Sequence, residues 1–63
     1  MILVESDKER FVCQFSRNEM LLINNALNEV CHGIQIDERE FQTRLGVDLK
    51  AAVSLLDQIG KSF

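Results

Sequence analysis

Sixty-three residues, 46% of them apolar and 27% charged, describe one small folded domain, of a size that buries only ~60% of the surface its unfolded chain exposes. Seven basic side chains against ten acidic ones leave a net charge of −3, which provides no overall field to draw in nucleic acid or an anionic membrane. Two cysteines, Cys13 and Cys31, are too few for a secreted disulfide framework and too far apart for a zinc knuckle, so they read as free buried thiols in a reducing cytoplasm.

The amino-terminal stretch MILVESDKER has a short apolar run that meets acidic residues at once, unlike a signal peptide. No run of about 18 apolar residues exists to span a bilayer. A cytoplasmic protein without membrane attachment is expected.

ILVE and RFVCQF flank SDKE, and the second run alternates, with Phe11, Cys13 and Phe15 on one side and Arg10, Val12 and Gln14 on the other. A hairpin with its loop over residues 6–9 follows. Glu5 then faces Arg10, Val4 faces Phe11, Leu3 faces Val12 and Ile2 faces Cys13. This register places Ile2, Val4, Phe11 and Cys13 on a core side and leaves Leu3 and Val12 on the outside.

Ser16 opens a helix, because SRNE is a capping box in which the Ser16 hydroxyl and the Glu19 carboxylate each satisfy a free backbone donor; Gly33 is placed to close it. At ~100° per residue, Met20, Leu22, Ile23, Ala26, Leu27, Val30 and Cys31 share the inward half and Leu21, Asn24, Asn25, Asn28 and His32 the outward half. Asp37 caps a second helix, with Glu40 completing a capping box, Ile36 able to staple against Phe41, and Leu45 and Gly46 at its end. The piece IQI before it could be extended. Asp48 caps a third helix, with Leu49, Ala52, Val53, Leu55, Leu56 and Ile59 inward and Lys50, Ser54, Asp57 and Gln58 outward.

The order β-β-α-α-α defines an α+β domain over residues 1–63. Its expected core joins Phe11, Phe15, Ile23, Leu27, Phe41, Leu45, Val53 and Leu56.

Residues 38–57 resemble a helix-turn-helix outline, including the LGV turn of many bacterial DNA-binding domains. That resemblance implies DNA contacts from Arg39, Arg44, Lys50 and Ser54. Against it, Gln42 stands where a small residue usually lets the helices approach, and Gly46 to Val53 is one residue longer than the usual spacing. Residues 37–63 also carry five acids against four bases, whereas a DNA reader shows a basic footprint. Nucleic acid is the disfavoured partner.

No nucleophile with its base, Gly-rich phosphate loop or paired carboxylates occurs at a workable spacing, so catalysis is not expected. Cys31 points inward and His32 outward, which argues against a shared metal ion. No cofactor is implied. His32 in the last turn suits the negative end of the helix dipole, and Asp37, Glu38 and Glu40 suit the positive end of theirs.

The three asparagines of the first helix need a different explanation, since each costs a few tenths of a kcal/mol against Ala in a helix interior. Leu21, Asn25, Asn28 and His32 are spaced four, three and four apart, and so form a line along the outer face with Asn24 beside it. An apolar residue among uncharged amides resembles the charge-depleted centre of an interface. The same stretch, FSRNEMLLINNALNEVCHGI, resembles small uncharacterised bacterial proteins with an NNALNEVC core, a family that implies a bacterial, cytoplasmic setting and no activity. The expected function is a non-catalytic protein-interaction module, a homodimer or an adaptor docking on a larger protein through Leu21, Asn24, Asn25, Asn28 and His32 with Leu3 and Val12; the alternative is a divergent helix-turn-helix regulator.

Overall fold

The computed structural model describes residues 1–33 and 35–63. The chain runs β1 (Ile2–Ser6), β2 (Phe11–Gln14), α1 (Arg17–Asn28), a wide π-helical turn (Glu29–Gly33), α2 (Glu38–Leu45) and α3 (Leu49–Gly60), the α+β order of a hairpin followed by three helices. The extended piece suggested for residues 34–36 includes Ile34, which lies outside the described residues.

All three helices start where a side chain satisfies their free N–H groups. Ser16 Oγ accepts from Glu19 N at 3.1 Å while Glu19 Oε1 accepts from Ser16 N at 2.9 Å, the complete capping box. Asp37 Oδ1 accepts from Glu40 N and Asp48 Oδ1 from Ala51 N, each at 2.7 Å. Glu40 does not complete a second box. Its carboxylate turns along the helix to Arg44, 2.8 Å away, an i,i+4 pair.

Helix α2 ends at Gly46, whose φ of 78° places it in the left-handed region and whose N–H donates to Gln42 O at 2.9 Å. Gly33 does not close α1 in that way, since Gly46 is the one positive-φ glycine among the described residues. The helix widens over Glu29–Gly33 instead, turning Cys31 inward and leaving His32 exposed.

Among the described residues the core is formed by the helices, the π-helical turn and Ile36, with no strand residue in it. Cys31, Phe41, Ala52 and Leu56 are buried together, with Leu27, Val30, Ile36, Leu49 and Val53 packed around them. Ile36 and Phe41 both belong to this cluster, as a hydrophobic staple at the start of α2 requires. Ile23 is half-buried. Three of the expected core residues, Phe11, Phe15 and Leu45, are exposed, as is Leu55.

The hairpin differs from its expected register for a local reason. Asp7 Oδ1 accepts from the N–H groups of Glu9 and Arg10 at 2.8 and 2.9 Å, and Asp7 N donates to Arg10 O at 3.0 Å. This Asp-centred turn moves the loop to residues 7–10. Ile2 now faces Gln14, Leu3 faces Cys13, Glu5 faces Val12 and Ser6 faces Phe11, with a β-bulge at Val4 absorbing the extra residue. A one-residue slip exchanges faces, so Leu3 joins Phe11 and Cys13 instead of standing outside. Arg10 leaves the ladder and lies 3.9 Å from Asp7 instead of facing Glu5.

No strand residue approaches any helix closely, Cα to Cα, among the described residues. Only Phe15 and Ser16 separate β2 from α1, and Ser16 is itself extended at φ −68° and ψ 163°. Across this junction the strands and helices stay apart. Among the described residues a single long-range polar contact joins the two parts: the Met1 ammonium donates to Glu19. Every other side-chain hydrogen bond among the described residues closes within four positions of its origin.

Candidate functional site

The hairpin is apolar on both faces and covered on neither. Its register places Leu3, Phe11 and Cys13 on one side and Ile2, Glu5 and Val12 on the other. Phe11 is 73% exposed and Ile2 62%, with Leu3, Val4 and Val12 also exposed. Their strands carry a single charge, Glu5. Two further residues extend the bare surface past the strands, Met1 and Phe15.

Helix α1 continues it. Of the elements that could cover the expected inward half of that helix, α3 packs on it and the strands do not. Met20, Ile23, Leu27, Val30 and Cys31 turn toward the helices, while Leu22 is 70% exposed and Ala26 is also exposed. Glu19, which holds the Met1 ammonium, lies one turn before Leu22 and two before Ala26, so the uncovered strip begins where the hairpin is tethered.

On the expected interface line, Leu21, Asn25, Asn28 and His32 are all exposed. Asn24 is separated from them: it is half-buried on the α3 side, its Oδ1 3.9 Å from where a Cβ on Gly60 would stand. One asparagine is thus accounted for by helix packing. Leu3 and Val12 are exposed but lie on opposite faces of the hairpin.

The residues of the helix-turn-helix outline are in a different place. Arg39 and Lys50 line an open cleft of about 790 Å³ between α2 and α3, with Gln42, Leu49 and Val53. Glu38 and Asp48 line it too, so acids balance the bases. Arg44 is engaged by Glu40 outside the cleft lining, and Ser54 is exposed beyond it. Nothing in this arrangement concentrates positive charge.

Titratable groups are perturbed by local structure. The Met1 ammonium and the Ser16 N–H hold the Glu19 carboxyl below its usual range, and the Glu9 and Arg10 N–H groups do the same for Asp7. Burial pushes the Cys31 thiol up, the opposite of an activated nucleophile. Cys13 is half-exposed in the hairpin. Among the described residues no three His, Cys, Asp or Glu side chains converge as a metal site would need, and no helix is long and apolar enough to cross a membrane.

The sequence reading missed Ile2, Val4, Phe11, Phe15 and Leu22 as surface residues.

No family model, curated protein or solved structure matches the chain.

Proposed function

We propose that the protein is a small non-catalytic interaction module of a bacterial cytoplasm, and that its hairpin, through Leu3 and Val12 among others, is the surface by which it docks. The observation that carries this reading is the hairpin's lack of any cover from its own helices. A two-stranded hairpin is marginal alone in water, and exposed apolar patches of this extent mark interaction sites. The outer line of Leu21, Asn25, Asn28 and His32 offers amides that tolerate burial better than charges do, and it forms a secondary face of the same module. A DNA-binding role ranks second: the Gly46 turn between α2 and α3 favours it, and the acids beside Arg39 and Lys50 weigh against it.

The test compares the parent chain with a Phe11→Ser, Val12→Lys variant, in solution and in extract of the source cell. The reading expects the parent to self-associate or to retain a partner that the variant loses, with helix content equal in both. A parent that stays alone in both settings would refute it.

A further inference from the structure

We infer that the occupant of the bare hairpin is a second copy of this chain, joined hairpin to hairpin along the free edge of β2 across a two-fold axis; this rests on the interaction-module reading above. The surface area supports a partner of that size. The chain exposes 5390 Å², whereas a folded monomer of 7.2 kDa exposes ~4,100 Å². Its radius of gyration of 13.0 Å likewise exceeds the ~11 Å of a close-packed chain of this length. The surplus, on the order of 1,000 Å² per chain, falls in the range each subunit of an obligate homodimer buries and exceeds the ~800 Å² of a standard heteromeric contact.

The edges differ in a way that selects β2. Each strand has one unpaired edge, since the sheet is β1-β2 alone. Strand β1 is kinked by its bulge at Val4 and carries Glu5, two of the devices by which proteins keep edges from pairing. Strand β2, Phe-Val-Cys-Gln, is regular and has no charge. Nothing guards it.

Strand β2 is also complementary to itself. Antiparallel pairing about an axis through Val12 sets Phe11 opposite Cys13 and Val12 opposite its counterpart, so each residue meets one of its own face and no charge meets a like charge. The result is a four-stranded antiparallel sheet. Its wider face, with Leu3, Phe11 and Cys13 from each copy, is broad enough to close over the Leu22 and Ala26 strips that a lone hairpin leaves bare. Residues 1–15 carry three acids against two bases, so joining two hairpins brings little repulsion.

The experiment is sedimentation equilibrium of the full chain from low micromolar to millimolar concentration, with amide hydrogen exchange on the same samples. The inference expects a dimer in which the β2 amides are slowed, a Val12→Lys variant that weakens the dimer at least tenfold with helical signal unchanged, and an Asn25→Lys, Asn28→Glu variant that leaves it intact. A monomer whose hairpin amides exchange freely throughout overturns the second copy and leaves the module reading in need of another partner. A monomer with protected hairpin amides overturns both, because its own helices then cover the hairpin. A dimer that survives Val12→Lys and dissociates in the asparagine variant overturns the inference and moves the interface to α1.

Discussion

Phe41 and Phe11 should respond to the same truncation in opposite ways. Phe41 is 2% exposed at the centre of the helical core, and a buried Phe→Ala change costs about 3 to 5 kcal/mol. A chain of this length has a total stability of about 3 to 9 kcal/mol, so Phe41→Ala should remove a third or more of it and shift the urea midpoint strongly down. Phe11 keeps only about a quarter of its surface covered. With ~200 Å² for the side chain at ~25 cal/mol per Å², its truncation costs at most about 1.4 kcal/mol in the monomer. Urea titration followed by far-ultraviolet circular dichroism, at the lowest workable protein concentration, measures both. If Phe11→Ala shifts the dilute midpoint as far as a core substitution does, the hairpin packs on the helices and the separation of the two parts is wrong.

Further expectations follow from the thiols, the tether and the cleft. At protein concentrations where the chain is monomeric, a maleimide should label one thiol, Cys13, and reach Cys31 only in denaturant; rapid labelling of both in buffer would contradict the buried, unactivated state of Cys31. The Glu19 carboxyl is held below its ordinary value of 4.5, so its contribution to stability is complete above that pH and is lost as pH falls through the lower folded value. Glu19→Gln should therefore flatten the acid limb of a stability-against-pH curve and loosen the hairpin's orientation by amide relaxation, and an unchanged acid limb would show that the tether contributes nothing. Random duplex DNA at moderate salt should show no binding at micromolar protein, whereas tight, salt-sensitive binding lost in Lys50→Ala would favour the helix-turn-helix reading.

Local hydrogen-bond chemistry made the element boundaries legible. Ser16, Asp37 and Asp48 each stand immediately before a helix, and in the structure each accepts from the backbone N–H three residues ahead. Asp7 announces its turn by the same means, but SDKE offers two ways to centre a loop, and alternation alone chose the wrong one. What sequence spacing could not supply was the third dimension. An apolar half-cylinder on α1 shows that Leu22 can be covered, not that the chain has a sheet in position to cover it. Leu45 and Phe15 failed for the same reason: each is apolar at an inward spacing, and each lies at the end of an element where no second element reaches. Among the candidate interface residues, Asn24 departs from the outer face because α3 packs against that side of α1, with Gly60 close to its amide.

The short reach of the polar contacts bears on how fast the molecule assembles. Caps and turn bonds that close within four positions can form before any distant part of the chain has arrived, so α2, α3 and the Asp7 turn have no need to wait for one another. Docking Phe41 among Cys31, Ala52 and Leu56 also joins elements that are near neighbours along the chain. Helical domains of this low contact order fold in microseconds to milliseconds, and a hairpin closes in ~1–10 μs. The slow event in a refolding experiment should then be the meeting of two chains. It would be recognised by a rate that rises with protein concentration while the early helical signal does not.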